Sequence, residues 1–403
     1  MMDKSASGDW TRDAARDPRR VHWMELFFDL VFVAFVGQLA HGIHGDPGWA
    51  EFATFVLLFF PAWWAWVNIV SVVNLLPGLS TRGLGVAMVA AMAAASVMAA
   101  AAPGAFGERA WAFSLGNAAM RVVLLTLWLY RHRQGSSDKP WRIWIYNGAT
   151  AVLWFIAALL PLNIAVILWA TSIVVEIVMV IVSGRLWPDR GVGGINIEHA
   201  SERLGLFVII VLGESIFTVV IQVSDDWGPG AGLVGLLGFL IVSLLGWAFF
   251  QYGTGYVPAG LERLQSRSDY IGILQTTLFL PFLLVLGVTA IAGSIATAIH
   301  DPFEHLPLGS SISLGGGLVL FYGCNAVVSI RYGKTFRAVM PWTLPTVIIA
   351  LLLIPVSAAV PAFAILLCAV ILLLLVTAYV ELQRLRRLLR YRVAGGPDAG
   401  VRT

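Results

Sequence analysis

Charge is what this sequence has least of. Only 12% of its 403 residues are Asp, Glu, Lys or Arg, against 59% hydrophobic, where a soluble domain carries about 25% charged residues. Half the ordinary supply cannot cover a surface that faces water, which excludes a soluble enzyme or binding module. Cysteine is nearly absent. Cys324 and Cys368 are too few for a disulfide framework or a thiolate metal cluster. A formal net charge of +3 creates no strong basic field, so no nucleic-acid partner is expected. No Walker loop, GxSxG elbow, HExxH or dinucleotide fingerprint occurs, which leaves ATP hydrolysis and common hydrolase chemistry unsupported. No haem attachment motif is present either, and no cofactor is expected.

Long apolar runs are what the chain does have, with a mean hydropathy of +0.83. A helix needs about 20 apolar residues to cross the hydrocarbon of a bilayer. That ruler places twelve spans, at 23–43, 52–74, 83–102, 110–130, 142–160, 162–183, 203–223, 231–252, 271–294, 311–330, 338–357 and 362–381. The expected fold is an all-α polytopic membrane protein. Residues 1–21 mix acids with Lys4, Arg12, Arg16, Arg19 and Arg20 and hold no apolar core. They read as a polar tail rather than a cleaved signal.

The basic residues order the spans. With the N-terminus inside, alternate loops collect every Lys and Arg except Arg109, in an outer loop, and Arg121, within the fourth span. Arg203 counts among the loop residues in this scheme. The positive-inside rule then places both termini in the cytoplasm. Past the last span, 383–403 forms a basic tail whose Arg384, Arg386, Arg387 and Arg390 continue at helical spacing. It is expected to lie on the inner leaflet and meet anionic lipid.

The two halves of the chain echo each other. HWMELFFDLVFVAFVGQL from His22 aligns without a gap on HASERLGLFVIIVLGESI from His199, setting His22 and Glu25 over His199 and Glu202. Trp64-Ala-Trp-Val-Asn68 echoes Trp247-Ala-Phe-Phe-Gln251, and Ser114-Leu-Gly116 echoes Ser313-Leu-Gly315. A duplicated six-span unit follows, with halves at 22–184 and 199–382 joined by a cytoplasmic linker, 185–198. Six is even, so both halves enter from the same side as parallel repeats.

Four blocks carry a family resemblance: WMELFFDLVFVAFVGQLAHGI, PAWWAW from Pro61, AFGERAWAF leading to Arg121, and EHASERLGLFVIIVLGES. In order and spacing over residues 20–225 they resemble the bacterial low temperature requirement protein A family. The resemblance implies a multi-pass protein of the bacterial plasma membrane. Two positions depart from the family pattern. Gln251 stands where an acid often follows the aromatics, and LQTTLFLPFLL lacks the His often found in the ninth span.

Function must then come from polar groups at membrane depth, which are costly and face the bundle interior. Asp29, Arg121, Glu176 and Glu214 form a candidate substrate or ion pathway. His22 with Glu25, and His199 with Glu202, form candidate gate or half-site pairs. His22, Glu25 and Asp29 share one helix stripe. Helix-start acids also serve as caps for free N–H groups. His-x-x-Glu reverses the Glu-x-x-His order of bundle metal sites, and no metal is assigned to it. Trp63, Trp64, Trp66 and Gln251 are candidates to line a cavity. Arg121 needs a carboxylate at its own depth; Glu214 is favoured over Glu176 and Asp29.

These features fit a secondary transporter or channel moving protons, a small ion or a solute. The alternatives are an intramembrane enzyme acting on a lipid-like substrate, or a metal- or haem-binding redox protein. Membrane lipids and the small ion or solute are the expected partners, and an oligomer is compatible with this architecture.

Overall fold

The computed structural model describes residues 23–76, 81–135, 140–186, 197–252 and 257–393. His22 and most of the linker at 185–198 lie outside them. Among the described residues there is no strand, and the helices are α1 (Trp23–His41), α2 (Trp49–Asn74), α3 (Thr81–Ala101) and α4 (Ala110–Arg133). The next, α5, is the consecutive run Pro140–Ile143, Trp144–Ala149 and Thr150–Leu159, whose middle piece is π-helical. Then come α6 (Leu162–Leu186), α7 (Ile197–Asp225), α8 (Pro229–Tyr252) and a short α9 (Val257–Ser266). A second composite helix, α10, joins Tyr270–Leu274, a π-helical Gln275–Phe279 and Leu280–His300. The chain ends with α11 (Leu308–Arg331), α12 (Phe336–Val356) and α13 (Ala362–Val393).

All of these except α9 are long and apolar enough to cross a membrane, twelve in number. Helices are the natural solution here, because each satisfies its own backbone N–H and C=O groups where no water can. The molecule is an all-α polytopic membrane protein. Three span limits differ from the sequence expectation. The seventh helix begins at Ile197 rather than 203, so Arg203 sits inside the helix and not in a loop. The ninth span continues to His300. The last helix has 32 residues, about 48 Å at 1.5 Å per residue, and outruns a hydrocarbon layer of about 30 Å.

Packing follows chain order within each half. α3, α4, α5 and α6 are successive neighbours, as are α10, α11, α12 and α13. α1 packs on α3, and α7 packs on α10. The halves meet where α1 lies along α7. These two run parallel: Glu25 meets Arg203 near the start of both helices, and Gly37 abuts Glu214 farther along both.

The end of the bundle towards which α1 runs is laced by its loops. The Gly45 N–H donates to Thr297 Oγ1 at 2.9 Å, and Asp46 Oδ1 accepts from the Gly309 N–H at 2.7 Å. Ser310 Oγ donates to the Gly45 carbonyl, and the Ala362 N–H to that of Glu304.

Glycine sets one close helix contact. A Cβ on Gly317 would lie 2.6 Å from the Gly287 carbonyl, and one on Gly287 would lie 2.8 Å from that of Gly317. The backbones of α10 and α11 touch there, as small residues allow in membranes. Gly317→Val should therefore push the two helices apart and cost about 1–3 kcal/mol, the usual scale of overpacking. Thermal unfolding in detergent should show a lower Tm than Gly316→Val, whose Cβ would meet open space. Equal Tm values would show that the contact is not tight.

Candidate functional site

Two buried arginines organise the polar interior. The first, Arg203, is 1% exposed on α7. Its Nη1 donates to Glu25 Oε2, and its Nη2 donates to Asp29 Oδ1 at 2.6 Å. Trp66 Nε1 of α2 donates to the same Asp29 oxygen at 2.7 Å. One turn before Arg203, His199 places Nε2 3.4 Å from Glu25 Oε2. On its other side His199 Nδ1 lies 3.3 Å from Asn74 Nδ2. The spacing explains the fit. Glu25 and Asp29 are one turn apart on α1, His199 and Arg203 one turn apart on α7, and i, i+4 residues share a helix face.

The charge count at this cluster is uneven. One guanidinium faces two carboxylates, so a single negative charge is left unless a proton sits on an acid or on His199. Asp29 Oδ2 and Arg203 Nε are both buried and make no hydrogen bond among the described residues. Burying an uncompensated charge is expensive.

Arg121 forms a different arrangement. Its Nε and Nη2 donate to the two oxygens of Glu176 at 2.8 and 3.1 Å. Both terminal nitrogens also reach the Pro61 carbonyl at 3.4 Å, and the Trp154 ring lies 6.0 Å away. This bidentate pair is neutral, with both residues 1% exposed. The partner is Glu176, and not the favoured Glu214. Equal depth did not decide the pairing, because α4 packs chiefly on α3 and α5 while α7 lies against α1. Glu214 instead faces Gly37, within electrostatic reach of His41. Beyond it the His41 and His44 rings lie 4.9 Å apart, tilted by 52°. Burial, with His41 alongside, pushes His44 down to about 4.

Other candidates are placed less centrally. Glu202 is exposed; one residue of helix is a 100° turn, and Arg203 takes the inward position that Glu25 and Asp29 require. Gln251 is exposed too, and Phe249 reaches the interior in its place. Trp63 and Trp64 are packed solid, each 1% exposed, and Trp63 Nε1 donates to the Leu278 carbonyl at the π-helical turn. His199 faces Glu25 across the helix seam, so it is held apart from the Glu202 of its own motif. Arg203 is the residue that sequence reasoning missed. The signal was present: a His and an Arg one turn apart, opposite two acids one turn apart.

Beside the Arg203 cluster lies a cavity of about 140 Å³, bounded by α2, α7, α8, α9, α10 and α11. Trp66 is the shared wall, its indole N–H bonded to Asp29. The cavity therefore sits between the first half and the second.

A profile of the bacterial low temperature requirement A protein (LtrA) matches residues 20–378. The chain belongs to this family. The match extends well past the 20–225 stretch on which the motifs are densest. The chain is also 30% identical over 306 residues to the uncharacterized protein RA0937 of Rhizobium meliloti (strain 1021), covering 73% of this chain and 72% of that one.

The two arginines invite the same test. Removing one member of a buried pair typically costs 3–5 kcal/mol, whereas removing both is often tolerated. Arg121→Leu should lower the yield and Tm of folded protein, and adding Glu176→Gln should restore most of the loss. Adding Glu214→Gln should restore none. Rescue by Glu214→Gln would contradict the pairing.

Proposed function

We propose that this LtrA-family protein is a secondary transporter of the bacterial plasma membrane. In this reading two six-helix halves move a small solute, coupled to a proton held at the Glu25, Asp29, Arg203 and His199 cluster. The observation that carries it is the surplus negative charge buried at the seam beside a cavity. A residue set built only for stability would match charges one to one, as Arg121 and Glu176 do.

Duplication of the six-helix unit belongs to the same proposal, and the packing supports it. Neighbours in the first half (α1 with α2 and α3, then α3 through α6) correspond to neighbours in the second (α7 with α8 and α10, then α10 through α13). The register that sets His22 over His199 also sets Gly37 over Glu214, the two residues that abut at the seam. Facing contacts between equivalent positions are what a two-fold axis along the membrane normal produces. Transporters built of such repeats bind substrate at the repeat interface.

Orientation follows from charge. With 1–21 and 383–403 cytoplasmic, the cluster and cavity lie towards the cytoplasmic side, and the laced loops lie outside. The protruding end of α13 then meets the inner leaflet, where Arg384 and Arg386 attract anionic lipid.

Proton movement into sealed proteoliposomes, followed by an entrapped pH dye under an imposed membrane potential, tests the reading. Wild-type protein should carry a flux that Asp29→Asn and Glu25→Gln each lower at least tenfold. Glu202→Gln, on the bundle surface, should leave it unchanged. A wild-type flux no greater than that of empty vesicles, or an unaffected Asp29→Asn, would overturn the proposal.

A further inference from the structure

The cavity has its own chemistry, separate from that of the charges behind it. None of the side chains that line it is ionisable at neutral pH apart from the Cys324 thiol and the Tyr332 phenol. Burial pushes the Tyr332 phenol up to about 12, which keeps it neutral. Most of the wall is aliphatic or aromatic, from Val70 and Leu204 to Phe249 and Leu284. An apolar cavity of about 150 Å³ binds a benzene-sized molecule, and this one is about 140 Å³.

Several polar groups in the wall have already given up a donor. Thr277 Oγ1 donates its proton to the Ile273 carbonyl, and Asn325 Nδ2 donates to the Phe321 carbonyl. Thr276 Oγ1 likewise donates to the Gly272 carbonyl. Each threonine proton is spent on its own helix, which leaves the threonine lone pairs to accept, and Asn325 keeps its Oδ1 acceptor beside one remaining N–H. A carboxylate or phosphate would find no cation in this wall. An ammonium would lose its water without gaining a counter-charge, since Asp29 stands behind Trp66 and already accepts from Arg203. Burying either ion unpaired is costly. α9 closes one side through Val257 and Leu261. It packs so tightly that a Cβ on Gly260 would enter the Tyr332 ring.

We infer that the cavity binds a small, neutral, largely apolar molecule that donates one hydrogen bond, such as an alcohol or phenol of one-ring size. Calling that molecule the transported substrate rests on the transporter reading; the binding site does not.

Cys324 gives a direct reporter, because it lines the cavity and the other cysteine, Cys368, is exposed. In full-length Cys368→Ser protein in detergent, alkylation of Cys324 by N-ethylmaleimide is followed by mass spectrometry. Benzyl alcohol should slow the reaction at least threefold and saturably, while benzoate and benzylammonium should not. Benzyl alcohol should also raise Tm, and Asn325→Leu should remove at least half of that rise; this second readout applies even where the thiol reacts slowly. Equal protection by all three probes, or neither protection nor a Tm rise with the alcohol, would overturn the inference. Either result alongside an intact Asp29-dependent proton flux would leave transport standing and the ligand class wrong. Loss of the flux with protection retained would do the reverse.

Discussion

A guanidinium cannot shed its charge inside a membrane, so its position dictates what must surround it. Arg203 is the fixed point of this molecule. It brings Glu25 and Asp29 of α1 to α7, and through Asp29 it draws Trp66 of α2 into the same network. The seam between the two halves is thus held by ionic hydrogen bonds as well as by packing. Between apolar helices in lipid there is little hydrophobic drive to associate, and such bonds supply both adhesion and register. The parallel course of α1 and α7 follows from them.

The contrast with Arg121 separates structure from chemistry. Arg121 and Glu176 cancel, their hydrogen bonds are nearly complete, and the Pro61 carbonyl takes up the remaining donors. At Arg203 the count is one against two, an Asp29 oxygen and the Arg203 Nε lack partners, and a histidine stands at the edge. Adding one proton there removes a net charge from a low-dielectric seam and weakens one of the bonds that join the halves. In the proposed transporter, protonation would therefore loosen the grip of one half on the other.

Much of this was legible in the amino-acid order. Twelve spans, the buried position of Asp29 and the need of Arg121 for an acid follow from hydropathy and depth. What escaped was azimuth. Depth along a helix is readable from counting, but the side of a helix that a residue faces depends on which helices are its neighbours. Glu214 and Glu176 are both deep enough for Arg121, and only helix adjacency chooses between them. Arg203 was lost for a related reason. A basic residue near a span end counts as a loop residue, unless the helix starts six residues earlier and turns that position inward. Glu202, its sequence neighbour, then faces outward whatever its repeat equivalent does.

The two ends of the bundle are built differently, and the difference fits the position of the cluster. At one end, loop side chains and backbone tie 45–46 to 297 and 309–310, and 302–304 to 362–363. At the other, the cavity reaches in between α2 and the second half, and α9 lies across it with its Gly260, Leu261 and Leu264 buried. A bundle pinned at one end and hollow at the other can open only at the hollow one with its laces intact. The group that sets the electrostatic cost of opening there is the Arg203 cluster, because it bridges the halves at that end. Glu214, at the Gly37 crossing, lies nearer the pinned end, beside His41. A proton travelling along the seam would pass from the histidines at the pinned end, by Glu214, to the acids at the hollow one. The ordering of those groups along α1 and α7 is the physical content of the transporter reading.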